Sequence, residues 1–221
     1  EGPLRALWVL AGLVLALRAS HALSARQAAW FGWAMGLAYF GITLRWIVEP
    51  FFVDPLRHGW MAPIAIVGLA GGLALFWAAA FGLGAFGARS AILRPVGVAA
   101  ALIAAEVARA HVFSGFPWAM LSYSLIGGPV DYLFAVVGPH GASAVLVAVA
   151  VLASVSLDRG RTILWPGLAV ICAGLVTASF ATPMPGTNET APRVRLVQPN
   201  APQHLKWDPE WIPVFFERAI A

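Results

Sequence analysis

The chain has 221 residues, 60% of them hydrophobic and only 11% charged, and its mean hydropathy is +0.80. A soluble domain carries about a quarter charged residues, so one water-solvated core cannot account for this composition. The net charge of +4 does not point to nucleic acid as a partner, because the arginines stand at the ends of apolar runs, as membrane topology requires, rather than along a phosphate-tracking groove.

The apolar runs are continuous rather than alternating, which favours helices over barrel strands in a lipid solvent. They predict an all-α polytopic membrane helical bundle of about six helices over residues 1–182. In chain order the runs are 4–17, 28–48, 61–86, 91–107, 132–157 and 163–180. The first connection carries Arg18 and Arg26, the third Arg89 and Arg94, and the fifth Arg159 and Arg161. The second sets Arg57 against Asp54, and the fourth opens with Arg109. Arginine is richer in the odd connections, so these are expected on the cytoplasmic side, with the even ones and the tail after Phe180 outside.

The fourth connection, 110–131, is the long one. It holds Ser114-Gly115-Phe116-Pro117-Trp118, then Tyr123, then Gly127-Gly128-Pro129. Glycine and proline break the helix while the aromatics suit the headgroup region, so this loop is expected to pack on or dip into the outer leaflet. After Phe180 the composition changes. Residues 183–192 read as a linker rich in Pro, Thr and Gly, and Arg193 to Gln198 alternates like a half-buried strand. Residues 199–209 read as a loop and 210–221 as a helix. Strand, loop and helix in that order predict that 193–221 begins a truncated α/β domain. Both ends of the chain read as cut: it opens on Glu1 and stops within an amphipathic pattern.

Few residues invite a chemical role. Cys172 lies mid-run between Ile171 and Ala173, where hydrocarbon disfavours the thiolate, so it is expected to be structural. The five histidines lack metal-ligand spacing, and no CxxC, HExxH, Walker or GxSxG pattern occurs, so neither a metal nor a cofactor is expected. Glu106 and Arg109 are three apart and share a helix face. They are expected to form a structural ion pair that fixes the following loop, with a contribution to a headgroup site as the alternative. Arg45 and Glu49 are expected to pair similarly as an interfacial anchor with Trp46. Gly32-x-x-x-Gly36 and Gly68-x-x-x-Gly72 are expected to mark close helix contacts.

Two stretches together resemble one family. Glu106-Val-Ala-Arg109, continuing through Ser114-Gly115-Phe116-Pro117-Trp118 to Leu121-Ser122-Tyr123-Ser124 and Gly128-Pro129, resembles a signature of bacterial apolipoprotein N-acyltransferases. Val197-Gln198-Pro199-Asn200-Ala201-Pro202-Gln203, followed by Lys206-Trp207-Asp208, resembles the opening of that family's nitrilase-like (carbon-nitrogen hydrolase) domain. Pro199 replaces the usual glycine and Ala201 an isoleucine, while Val107 and Ala108 replace bulkier residues.

The resemblance implies a helical membrane bundle in the bacterial inner membrane, carrying an external nitrilase-like α/β domain, with residues 183–221 on the periplasmic side. It implies transfer of a fatty acyl chain from a phospholipid donor to the N-terminal cysteine amine of a diacylglyceryl apolipoprotein acceptor. The thioester-forming cysteine, the glutamate base and the lysine lie further along the family chain than these residues, so the segment by itself is expected to be inactive. Of the family's functional residues the resemblance carries over one, Trp207 of the Lys-Trp pair, implied to line the lipid pocket, with a hydrophobic strut as the alternative; Phe116, Trp118 and Tyr123 of the aromatic loop are expected to bind substrate beside it. The competing reading is a non-catalytic membrane anchor or partner domain, for example for a polyprenol glycosyltransferase. A small transporter ranks below both, because charged residues at mid-membrane and paired half-helices are lacking.

Overall fold

The computed structural model describes residues 2–87, 90, 93–157, 164–181, 195–202 and 204–220. Each long apolar run is a helix, and no strand occurs among the described residues. The helices are α1 (Gly2–Ala19), α2 (Ala25–Thr43), α3 (Pro55–His58), α4 (Met61–Gly87), α5 (Leu93–His111), α6 (Leu133–Ser156), α7 (Leu164–Ala181) and α8 (Ile212–Ile220). Three helices, Leu4–Ala22, Met61–Gly87 and Leu133–Ser156, are long and apolar enough to cross a bilayer. α2 with its continuation Arg45–Phe52, bent by 50°, is a fourth candidate. Leu15, Leu75, Leu83 and Phe86 are exposed on the outside of the bundle. Such a surface is a liability in water and a requirement in lipid.

α2 stops at Thr43, short of the expected 48, and Arg45–Phe52 is a 3-10 helix. Pro50 explains the break: in an α-helix its ring would strike the carbonyl four residues back, at Trp46. The expected Arg45–Glu49 pair does not form in this geometry. At three residues per turn, positions four apart point about 120° away from each other. α6 is kinked at Gly138, whose φ of 67° is left-handed, immediately before Pro139.

The core is built where α2 and α4 pack together. A Cβ at Gly32 would stand 2.7 Å from the Trp77 carbonyl oxygen, and one at Gly36 would stand 3.0 Å from Ala74, so this small pair sets the close approach. The second expected pair behaves differently. Nothing lies within 4 Å of a Cβ at Gly68 or Gly72. They fall off the face through which α4 packs, which runs through Ala70, Ala74, Trp77, Phe81 and Gly84.

At the end of the bundle where α1 stops and α2 begins, the polar backbone is gathered by two arginines. Arg94 Nη1 donates to the carbonyls of Ser20, His21 and Leu23 at 3.0, 3.1 and 2.7 Å, and its Nη2 donates to Ala85 at 3.1 Å. Arg18 reaches the Ser154 carbonyl at 2.9 Å. At the same end α4 and α5 nearly touch: a Cβ on Gly84 would meet Val98 Cα and stand 2.6 Å from Val98 N. Gly84→Ala is therefore expected to push these helices apart at a cost of about 2 kcal/mol. A lowered thermal midpoint of the detergent-solubilised protein would report it, and an unchanged midpoint would show that the contact can relax.

The tail corrects one expectation. Residues 195–200 have no ladder partner and Leu196 is exposed, so the alternation there is not a strand in this chain. A strand exists only by hydrogen bonding to a neighbour, and the described residues supply none. The linker 183–192 and residues 193–194 lie outside the described residues. α8 begins two residues later than expected, after the Asp208 carboxylate accepts the Glu210 N–H at 3.0 Å.

Candidate functional site: a cavity beneath the clamped loop

The motif that opens on α5 builds a loop before it builds a site. α5 continues to His111, and the chain turns at Gly115, whose φ is +76° and whose Cβ, if present, would strike the Ala110 carbonyl. Phe116 N–H then returns to the Arg109 carbonyl at 2.9 Å, closing the helix end. Only glycine fits there, which accounts for its place between Ser114 and Phe116.

Glu106 and Arg109 hold the loop beyond this turn. Both are buried, at 5% and 3% exposure, and they share a helix face as expected. Their hydrogen bonds run to the loop rather than to each other. Arg109 Nη1 donates to the carbonyls of Phe116 and Trp118 at 2.5 and 2.6 Å, while Glu106 Oε1 accepts the Leu121 N–H at 2.8 Å. The guanidinium also lies over the Phe40 ring, 5.2 Å from its centroid. Loop backbone folded into an apolar interior must find partners, and these two side chains supply them. Ser122 N–H donates to Ser143 Oγ at 3.1 Å, and Tyr39 Oη donates to the Met120 carbonyl at 3.2 Å, fastening the loop to α6 and α2.

The clamped loop roofs a cavity of about 920 Å³. Its walls come from the first half of α1 (Arg5 to Leu13), the second half of α2 (Met35 to Thr43), Leu44 to Trp46, and Trp118 to Ser124. Trp77, near the middle of α4, also lines it. From Arg5 to Leu13 on α1, and from Met35 to Thr43 on α2, the rise along the helix gives a depth of about 12 Å. The lining is mainly apolar, contains two arginines, Arg5 and Arg45, and no acidic residue. Trp46 and Trp118 meet edge to face with centroids 6.2 Å apart, while Tyr39 stacks on Trp77 at 5.1 Å. A concave apolar pocket with a few polar groups at one edge has the form of a site for an elongated apolar ligand with a polar end.

Of the expected substrate-binding residues, Trp118 and Tyr123 line this cavity. Phe116 is half-buried against the core, and its contribution is the carbonyl held by Arg109. Trp207 is exposed and is not part of the lining; Lys206 Nζ lies 5.5 Å from its ring centroid. Tyr39, Trp77 and Gly12 were not singled out from sequence. Each is one apolar or small residue among many in its helix, and only packing brings them to one wall.

The family follows from comparison. The model of the apolipoprotein N-acyltransferase N-terminal domain matches residues 3–152, well over half of the chain and all of the cavity and its loop. The chain belongs to the apolipoprotein N-acyltransferase family. It is 37% identical over 196 residues to the apolipoprotein N-acyltransferase of Caulobacter vibrioides, covering 84% of this chain and 36% of the relative. It is 33% identical over 227 residues to that of Brucella suis, covering 96% of this chain and 41% of the relative. With the Rhodopseudomonas palustris protein the identity is 33% over 189 residues, covering 82% and 35%. The chain therefore spans roughly two-fifths or less of the length of these apolipoprotein N-acyltransferases.

Proposed function

We propose that these residues are the lipid-holding membrane part of an apolipoprotein N-acyltransferase. The cavity under the Phe116–Trp118 loop receives an acyl chain of the phospholipid donor. The supporting observation is that the family-like motif and an apolar hollow of about 920 Å³ coincide: Trp118 and Tyr123 belong to both. In this reading a cysteine thiolate attacks the donor's ester carbonyl and releases a lysophospholipid whose oxygen takes up a proton. The amine of the diacylglyceryl apolipoprotein then attacks the thioester and frees the thiolate again. The cysteine, glutamate and lysine that the family uses for these steps match none of the present residues, so the contribution here is binding and orientation of the donor. The test is N-acylation of a diacylglyceryl lipopeptide by the full-length protein with a dioleoyl phospholipid as donor. No mass increase on the lipopeptide would sink the proposal.

In the same reading α1, α2, α4, α5, α6 and α7 all cross the inner membrane, with the loop end outward and residues 183–221 on the periplasmic side. α5 carries Arg94, Glu106 and Arg109, and these are spent on backbone carbonyls and an N–H inside the bundle, so they do not bar a crossing. A cysteine placed at the exposed Ser114 is expected to react with an impermeant thiol reagent added from the periplasmic side. Reaction from the cytoplasmic side alone would reverse the orientation. Residues 193–221 open the nitrilase-like domain, and Trp207 contributes to the lipid site when that domain is complete. Trp207→Ala in the full-length protein is expected to lower acyl transfer several-fold with an unchanged thermal midpoint; unchanged turnover would remove Trp207 from the site.

A further inference from the structure

The rim of the cavity carries a charge that the fold itself does not use. Arg45 is exposed, has no hydrogen-bond or ionic partner among the described residues, and lies beside Trp46, which meets Trp118. Its expected partner, Glu49, is turned away by the 3-10 helix. Arg5 of α1 lines the same cavity, and the lining contains no carboxylate. Elsewhere in the bundle Arg18, Arg94 and Arg109 each bind backbone carbonyls. Two cations at the mouth of an apolar cavity, with aromatic rings between the mouth and the interior, are complementary to one kind of molecule: an acyl chain ending in an anion.

We propose that Arg45, with Arg5, is the phosphate-recognising site that makes the cavity select glycerophospholipids over neutral glycerides. This rests on the donor reading above and adds to it the group that is read. The guanidinium fork of Arg45 binds the phosphodiester oxygens. The chain then runs inward along Ile42 and Met35 toward Trp77, and the ester carbonyl stays at the level of Trp46 and Trp118. The role is one of binding and positioning, since neither arginine is assigned a part in bond making.

The test is native mass spectrometry of the full-length protein in detergent, titrated with dioleoyl phosphatidylglycerol or with dioleoylglycerol, which lacks the phosphate. The unsubstituted protein is expected to prefer phosphatidylglycerol on the order of tenfold or more. Arg45→Gln combined with Arg5→Gln is expected to bring that preference to about twofold, whereas Arg45→Lys keeps most of it. Arg45 is exposed and without a partner among the described residues, so Arg45→Gln leaves the thermal midpoint in place, and the double variant is titrated at a temperature where it is folded. If the double variant keeps the full preference, or the unsubstituted protein binds both lipids equally, the arginine site is overturned while the cavity reading stands. If neither lipid binds, both fall.

Discussion

Arg109→Ala is expected to cost about 3 kcal/mol of stability and to lower acyl transfer by the full-length protein about a hundredfold. The substitution removes both bonds that fix the Phe116 and Trp118 carbonyls and the stack on Phe40. It also leaves the buried Glu106 carboxylate without the guanidinium one turn away. The roof over the cavity then loses its position before the rest of the bundle loses its fold. Arg109→Lys separates the two effects. It keeps the charge, but one ammonium on a flexible stem cannot reproduce the paired contacts, so stability should recover more than turnover. Thermal unfolding and turnover measured on the same preparations decide the matter. Wild-type turnover in Arg109→Ala would show that the clamped loop does not shape the site.

Gly12→Trp is expected to act in the opposite sense. Nothing lies within 4 Å of a Cβ at Gly12, and the residue lines the cavity, so an indole there grows into the hollow rather than into the core. Replacing glycine inside α1 with tryptophan also recovers about 0.5 kcal/mol of helix propensity. The thermal midpoint should hold or rise while acyl transfer falls at least tenfold, because the donor chain and the new ring compete for one volume. Gly12→Ala is the control, adding a single methyl group to the wall. Full turnover in Gly12→Trp would place the donor elsewhere.

The bundle was legible in the sequence because lipid imposes one simple demand, a continuous apolar run of sufficient length. Runs of that kind at 61–86 and 132–157 became α4 and α6 with their ends displaced by about a residue. The Arg45–Phe52 bend was not placed by the apolar run, which was carried on through Arg45 to Val48; the local stereochemistry of Pro50 decides it. Spacing placed Glu106 and Arg109 on one face and assigned them to fixing the loop, but it paired them with each other. Spacing along a helix counts only side-chain neighbours. The unsatisfied carbonyls and N–H of a loop folded back into the bundle make the stronger claim on those charges. The cavity was the least visible feature, since Gly12, Met35, Tyr39 and Trp77 come from three helices and acquire a common wall only through packing.

The two ends of the bundle are unequal. Where Gly84 lies against Val98 and Arg94 gathers four carbonyls, the helices are drawn tight; where α1 begins and α2 ends they stand apart around a hollow. In the proposed reading the larger hollow faces one monolayer, so the taper gives the donor phospholipid a sideways entrance from the half of the bilayer that holds the loop end.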